Sequence, residues 1–517
     1  MLKKLRVLLA WIFWIGITLL LLDFTGVLHG YLGWMAKLQF LPAVLALNVG
    51  VIVGLVLLTL VFGRVYCSVI CPLGVFQDGI SWLGTHRSKK PYKYHKEAKW
   101  LRYGVWVLFV AALVAGVHVL VALLAPYSAY GRMVQNLLQP IYLWGNNLLA
   151  AWAEKAGSYT FYEKEVWLRS LPTFIVAIVT LVVIVTLSFK GGRSYCNGIC
   201  PVGTTLSFLS RFAAFRPVID ADKCKHCKAC ELHCKARCIS IGKDTEHIDY
   251  SRCVDCFNCI DSCKFDALQY RYAWGKTTPG AKTASSAPKS TGNTVPGAKT
   301  ASGAPEDTER RAFMTGTVLA VGAAALKGVQ ARAQEAAKKV DGGFATVLPK
   351  EAPERETPIT PPGSASVKVF YQRCTACQLC VAECPNNVLR PSGDLDRLMQ
   401  PEMSFEKGWC RPECTRCSEL CPAGAIRKIT PEEKTQYQVG TARVNLKLCV
   451  SANGKAECGK CAQSCPSGAV QMVDNPDTGL RYPVVMEEVC IGCGACEYLC
   501  PSRPISAITV NGKPQHV

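Results

Sequence analysis

The sequence predicts an α-helical integral membrane domain joined to small α+β domains packed around cysteine clusters. Three observations lead there. The apolar residues are clumped: half of the 517 residues are hydrophobic, and four runs reach the ~20 residues that a bilayer span needs. The 29 cysteines fall almost entirely into tight repeated groups, the pattern of metal or cluster ligation and not of the disulfide frameworks of short secreted chains. One phrase occurs twice, as Gly-Arg-Val-Tyr-Cys-Ser-Val-Ile-Cys-Pro-Leu-Gly from Gly63 and as Gly-Arg-Ser-Tyr-Cys-Asn-Gly-Ile-Cys-Pro-Val-Gly from Gly192. The net charge of +20 does not point to nucleic acid, because the basic residues gather beside the apolar runs and no RNA- or DNA-binding motif occurs.

Residues 1–217 form the expected membrane domain. Its four spans are about Leu5–Phe24, Phe40–Phe62, Leu101–Leu124 and Leu171–Phe189. Lys3, Lys4 and Arg6 flank the first. The loop from Gly63 to Trp100 carries Arg64, Arg87, Lys89, Lys90, Lys93, Lys96 and Lys99 against Asp78 and Glu97. Lys190, Arg193, Arg211 and Arg216 follow the fourth. Positive-inside bias therefore places the N-terminus, the long basic loop and the stretch after span four in the cytoplasm. Each repeated phrase ends an out-to-in span, so spans one/two and three/four read as parallel repeats. The four-residue spacing of Cys67/Cys71 and of Cys196/Cys200 suggests that each pair shares one helical face, and the proline after each pair disfavours helix continuation. These four thiols are candidates for an additional cluster, for redox-active thiols, or for structural thiols.

Residues 218–274 form a soluble unit. Cys224, Cys227, Cys230 and Cys234 have gaps of two, two and three residues, and Cys253, Cys256, Cys259 and Cys263 repeat them. That is the bacterial run for two [4Fe–4S] clusters, in which each fourth cysteine ligates the other cluster. Cys224/Cys227/Cys230/Cys263 and Cys253/Cys256/Cys259/Cys234 are the expected quartets. Lys235 and Lys264 replace the usual proline after the fourth cysteine. Nearby positive charge favours the reduced cluster. Cys238 is left over and reads as a small buried apolar residue.

Residues 275–308 are rich in Gly, Ala, Ser, Thr, Pro and Lys and read as a flexible linker. In 309–333, Arg310-Arg311-Ala312-Phe313-Met314 opens a modestly apolar stretch that looks like a twin-arginine export signal inside the chain. It is expected to act as a fifth, retained signal-anchor span, although Ala331-Arg332-Ala333 resembles a cleavage site. Residues 334–366 are a second, Pro-rich linker. Residues 367–517 hold four more groups: Cys374/Cys377/Cys380/Cys384, Cys410/Cys414/Cys417/Cys421, Cys449/Cys458/Cys461/Cys465 and Cys490/Cys493/Cys496/Cys500. Sixteen thiolates make four clusters, with fourth ligands exchanged either between neighbouring motifs or in a nested order. Together with the first soluble unit, the sequence predicts six [4Fe–4S] clusters in α+β ferredoxin-like domains.

On these motifs, residues 1 to about 274 resemble the membrane subunit of the periplasmic nitrate-reductase quinol dehydrogenase (NapH type). Residues 310–517 resemble its exported four-cluster ferredoxin partner (NapG type, close to the methylamine-utilisation ferredoxin MauM). The chain thus reads as a fusion of two usual subunits. The resemblance implies oxidation of menaquinol or ubiquinol from the quinone pool at the bacterial inner membrane. It also implies electron delivery to a periplasmic reductase or c-type cytochrome, with the N-terminus and first ferredoxin domain cytoplasmic and the C-terminal domain periplasmic. The same architecture occurs in maturation or copper-reducing factors for periplasmic metalloenzymes, the alternative reading. A quinol site needs a proton acceptor, and polar residues in or beside a span are the candidates: His118, His29 and Asp23. The chain lacks Cys-x-x-Cys-His, so a covalent haem belongs to a partner.

Overall fold

Two 21-residue helices are the longest among the described residues. In the computed structural model, which describes residues 1–88, 92, 94–242, 246–274, 339–341, 345–476 and 479–516, these are α1 (Leu2–Leu22) and α10 (Leu171–Gly191). The linker expected at 275–308 and the twin-arginine segment expected at 309–333 lie outside the described residues, as does part of the second linker.

α1 and α10 are the helices long and apolar enough to cross a membrane among the described residues. The other two apolar runs are interrupted. Phe40–Phe62 is split into α3 (Phe40–Leu45) and α4 (Val49–Phe62). Leu47 takes a left-handed φ of 53°, and the Asn48 side chain caps α4 by accepting from the Val51 N–H. Leu101–Leu124 is split into α6 (Lys99–Ala115) and α7 (His118–Leu124), because Gly116 ends α6 in the left-handed conformation that glycine adopts without a Cβ penalty. Between α1 and α3 lies α2 (His29–Lys37). The body is completed by α5 (Pro72–Ser88), α8 (Pro126–Met133) and α9 (Gln139–Lys155), and by α11 (Ser194–Gly198) and α12 (Pro201–Ser210).

The first soluble unit follows. β1 (Phe215–Ile219) pairs antiparallel with β4 (Leu268–Tyr272), Phe215 opposite Tyr272, and β2 (Ile239–Ile241) pairs with β3 (Glu246–Ile248). The C-terminal unit repeats this plan. Gly440–Val444 pairs with Ile508–Gly512, Val470–Asp474 with Arg481–Val485, and Leu389–Pro391 with Pro401–Met403. These short sheets leave the cysteine loops between them as the real cores. A second compact unit, Thr278–Glu351 with Pro501–Ser506, contributes one short antiparallel pair, Lys339–Asp341 with Ala345–Val347.

The two cysteine-rich units sit at opposite ends of α1 and α10. At the start of α1, Lys3 pairs with Asp261 at 2.6 Å, and at the end of α10 the Lys190 carbonyl accepts from Arg237. Both partners belong to the first soluble unit. After the other end of α1, His29 pairs with Glu419 at 3.2 Å. Near the start of α10, a Cβ on Gly393 would touch Pro172. Glu419 and Gly393 belong to the C-terminal unit. A 21-residue helix is about 30 Å long, which sets the distance between the two units. One apolar core runs the whole way, from Cys234 and Cys256 through Tyr66, Cys67, Cys200 and Tyr127 to Leu379 and Leu420.

Candidate functional site

The centre of the molecule is built by the repeated phrase. Gly63 (φ 74°) and Gly192 (φ 64°) end α4 and α10. A five-residue turn follows, π-helical at Tyr66–Ile70 in the first copy and α-helical in α11 in the second. Cys71 and Cys200 then leave the turn in extended conformation and precede Pro72 and Pro201, the first residues of α5 and α12. The expected single helical face is therefore replaced by a turn and a helix start. The proline at the first helical position, which needs no N–H partner there, begins a helix instead of stopping one. Cys200 caps α12, its Sγ accepting the Gly203 N–H at 3.4 Å.

All four cysteines are buried at 4% exposure or less, and the two copies lock across each other. Arg193 Nη1 donates to the Cys67 carbonyl at 2.7 Å, and Arg64 Nη2 to the Cys196 carbonyl at 3.4 Å. The glycines that close each phrase let this happen. A Cβ on Gly74 would fall 2.2 Å from Cys67 O, and one on Gly203 would fall 2.4 Å from Cys196 O. Further N–H groups face the sulfurs: Gln77 Nε2 to Cys196 Sγ at 3.3 Å, Arg193 Nη1 to Cys196 Sγ and Arg64 Nη2 to Cys67 Sγ, both at 3.8 Å.

Charge decides what this centre suits. Arg64 and Arg193 are fully buried. Arg193 pairs with Asp78 at 2.8 Å, but Asp78 also takes Arg6 at 2.8 Å and Lys235 at 3.5 Å. Burial by itself would raise the Asp78 carboxyl; Arg193, then Lys235 and Arg6, outweigh it and hold it well below the usual carboxylate range. Among the described residues no carboxylate lies within ion-pair distance of the Arg64 guanidinium. Burial disfavours its charge, while the Cys67 and Cys196 sulfurs hold it above its ordinary value. Buried cations in excess of carboxylates require other anions nearby, and thiolates carrying a negatively charged iron–sulfur core supply them. The donor set fits such a group.

The remaining thiols fall into quartets. Cys224, Cys227, Cys230 and Cys263 line one small cavity, and Cys259 has Cys256, Cys234, Cys253 and then Cys230 as electrostatic neighbours. In the C-terminal unit Cys380 neighbours Cys374, Cys377, Cys421 and then Cys417. Cys384 lines a cavity with Cys410, Cys414 and Cys417. Cys496 neighbours Cys490, Cys493 and Cys465, and Cys461 neighbours Cys458 and Cys449. Each of these groups draws on adjacent motifs. The loops share one backbone device. The residues two and four after the first cysteine turn to positive φ in three motifs: His226 and Lys228, Asp255 and Phe257, Ala376 and Gln378. In a fourth, Gly492 and Gly494 do the same. Successive N–H groups turned inward form an anion-binding concavity. Cys238 is buried as expected, yet its sulfur lies 3.5 Å from Cys234 Sγ, so it packs against a ligand.

Among the described residues, Cys224, His226 and Glu246 form the group whose donor atoms lie within single-ion reach of one another. The four central thiols are spaced more widely than one metal ion needs, like the ferredoxin quartets.

Of the three quinol-site candidates, Asp23 and His29 share the turn after α1, both meeting Gly26. Both Asp23 carboxylate oxygens are taken by its own turn, from Thr25, Gly26 and Leu28 N–H groups. His29 bridges Gly26 O and Glu419, and His118 opens α7. Composition and spacing did not single out Arg64, Arg193, Asp78 or Gln77. The available signal was the Gly-Arg pair, which recurs in both copies.

This arrangement defines a class: a ferredoxin-type electron-transfer protein that binds [4Fe–4S] clusters. The chain belongs to that family. It is 30% identical over 179 residues to the ferredoxin-type protein NapF of Escherichia coli K12, covering 95% of that protein and 33% of this chain. A family model described as a 4Fe-4S binding domain matches residues 44–91 and 172–218, the two stretches that carry the repeated phrase. A 4Fe-4S dicluster domain matches 456–503, and a further 4Fe-4S binding domain matches 367–390. The ferredoxin-type protein NapH of Escherichia coli K12 is 24% identical over 249 residues, 47% of this chain and 72% of that protein. An uncharacterized protein of Methanocaldococcus jannaschii is 26% identical over 277 residues, 53% of this chain and 97% of that protein. No solved structure matches.

Proposed function

We propose that this chain is a membrane-bound quinol dehydrogenase that passes electrons from menaquinol or ubiquinol to a periplasmic reductase or c-type cytochrome. The observation that carries the reading is the placement of two cysteine-rich units at opposite ends of α1 and α10, with four buried thiols between them. In this reading α1, α3–α4, α6–α7 and α10 are the four spans, and the segment at 309–333 is a fifth, signal-anchor span. The N-terminus and residues 218–274 face the cytoplasm, and residues 367–517 face the periplasm. The exposed apolar side chains of α10, among them Val179, Val182 and Val183, support a lipid-facing surface.

Twenty-four cysteines would hold six [4Fe–4S] clusters, and Cys67, Cys71, Cys196 and Cys200 a seventh. When bound, such clusters supply one-electron carriers. The chain's own residues prepare the central site. Arg64, Arg193 and Gln77 aim N–H groups at its sulfurs, and the crossed arginines hold the two repeats together. Tyr66 and Tyr195 close the centre against water. Oxidation of one quinol to quinone releases two electrons and two protons. Asp23 and His29 at the C-terminal-unit junction, and His118, stay candidates for handling protons at that end.

The test is direct. Purified full-length protein is mixed anaerobically with menaquinol and ubiquinol analogues, and cluster reduction is followed by absorbance and electron paramagnetic resonance. Reduction by either analogue is expected. Clusters that stay oxidised with both, in the presence of a periplasmic acceptor, overturn the reading. An iron content well below ~24 atoms per chain, at four per ferredoxin cluster, overturns the cluster assignment.

A further inference from the structure

A cavity of about 840 Å³ lies between α1, α5 and the first soluble unit. Its walls are overwhelmingly apolar, with Trp11, Trp14, Phe76 and Trp82 among them. Trp11 and Trp82 are 50% and 63% exposed, so the cavity meets the apolar surface of the helical body. Its other end is polar. Arg6, Asp78 and Lys235 meet there, the carboxylate of Asp78 shared by both cations. Arg6 Nη1 donates to Asp78 at this end, so the cationic groups are held in place beside the apolar space.

We propose that this cavity binds a membrane-soluble quinone-type carrier. The apolar tail lies along Trp11, Trp14 and Phe76, and the carbonyl-bearing ring meets the Arg6–Asp78–Lys235 end. An anionic phospholipid shares the tail and the oxygen-rich head. The redox carrier is favoured because the polar end abuts thiol ligands. Lys235 directly follows Cys234 and Asn258, also on the wall, directly precedes Cys259. A structural lipid has no need of that neighbour; a carrier that exchanges electrons does. The inference rests on the quinol reading above and assigns it a site distinct from Asp23, His29 and His118.

The experiment uses the full chain in detergent with decylubiquinone as probe, read by quenching of tryptophan fluorescence and by equilibrium dialysis. Gly79 faces the cavity, and nothing lies within 4 Å of a Cβ placed on it, so Gly79→Leu fills the space without a clash. Saturable binding to the wild type is expected, weakened at least about tenfold in Gly79→Leu, which is ~1.4 kcal/mol. Trp11→Ala, which removes an apolar wall at a half-exposed position, should weaken binding in the same direction. Iron content and thermal midpoint should stay at wild-type values in both. Unchanged affinity in both variants overturns the proposal. So does a phosphatidylglycerol molecule that co-purifies with the wild type, is lost in Gly79→Leu and is not displaced by the probe. Quinol-driven cluster reduction that persists in Gly79→Leu sinks this site and leaves the dehydrogenase reading standing. Tight probe binding without any reduction does the reverse.

Discussion

Asp78 is the acid on which three basic side chains converge. Arg193, Arg6 and Lys235 come from two helical segments and the first soluble unit, and each reaches the same carboxylate. Breaking a buried pair by removing one partner typically costs ~3–5 kcal/mol, because the surviving charges lose their counter-ion. Asp78→Asn should therefore lower the thermal midpoint strongly and loosen the contact between α5 and the first soluble unit, read as faster hydrogen exchange at Lys235 and Ala236. The closing glycines make a second residue-scale prediction. Gly74→Ala and Gly203→Ala each force a Cβ into a carbonyl of the other half of the turn, and overpacking of this kind costs ~1–3 kcal/mol. Each should destabilise by that amount in chemical unfolding, whereas Gly79→Ala in the same helix should not.

The four apolar runs are alike in composition but not in build. α1 and α10 are continuous, whereas α3–α4 and α6–α7 are broken at Leu47–Asn48 and at Gly116. Broken helices are tolerated at membrane depth when neighbouring protein satisfies the freed backbone groups. Here the Asn48 side chain serves that role on one break. α10 is the element on which the membrane reading can be checked. Val182 is 57% exposed, so Val182→Arg is nearly neutral for a helix in water. At the centre of a bilayer span an arginine costs ~2.5–3.5 kcal/mol by insertion scales. Val182→Arg should shift the protein from the carbonate-resistant membrane fraction to the soluble or degraded one. Normal fractionation of the variant would remove α10 from the list of spans.

For the whole molecule, the cores of the cysteine-rich units combine aliphatic side chains with thiols. Cys449, Cys490, Cys496 and Cys500 belong to the buried cluster of the C-terminal unit, beside sheets of two short strands. Such sheets bury too little apolar surface to stand alone, so ligand binding and folding are coupled there. Removing iron with a chelator under oxidising conditions should abolish the cooperative unfolding transition of residues 367–517. The circular-dichroism signal of α1 and α10 should persist.

Spacing alone made the cysteine groups and the doubled central motif legible, and with them the [4Fe–4S] class that the family models match, because a cluster constrains ligands a few residues apart. The helical runs were legible as apolar length. Three things were decided only by the tertiary structure. Which motif's fourth cysteine comes beside which other motif depends on which loops pack together. The crossed arginines depend on two segments 129 residues apart in the chain meeting face to face. The apolar cavity depends on α1, α5 and a soluble unit leaving space between them. A cavity has no residue of its own, and a buried cation reads in sequence like any surface arginine until its partners are known.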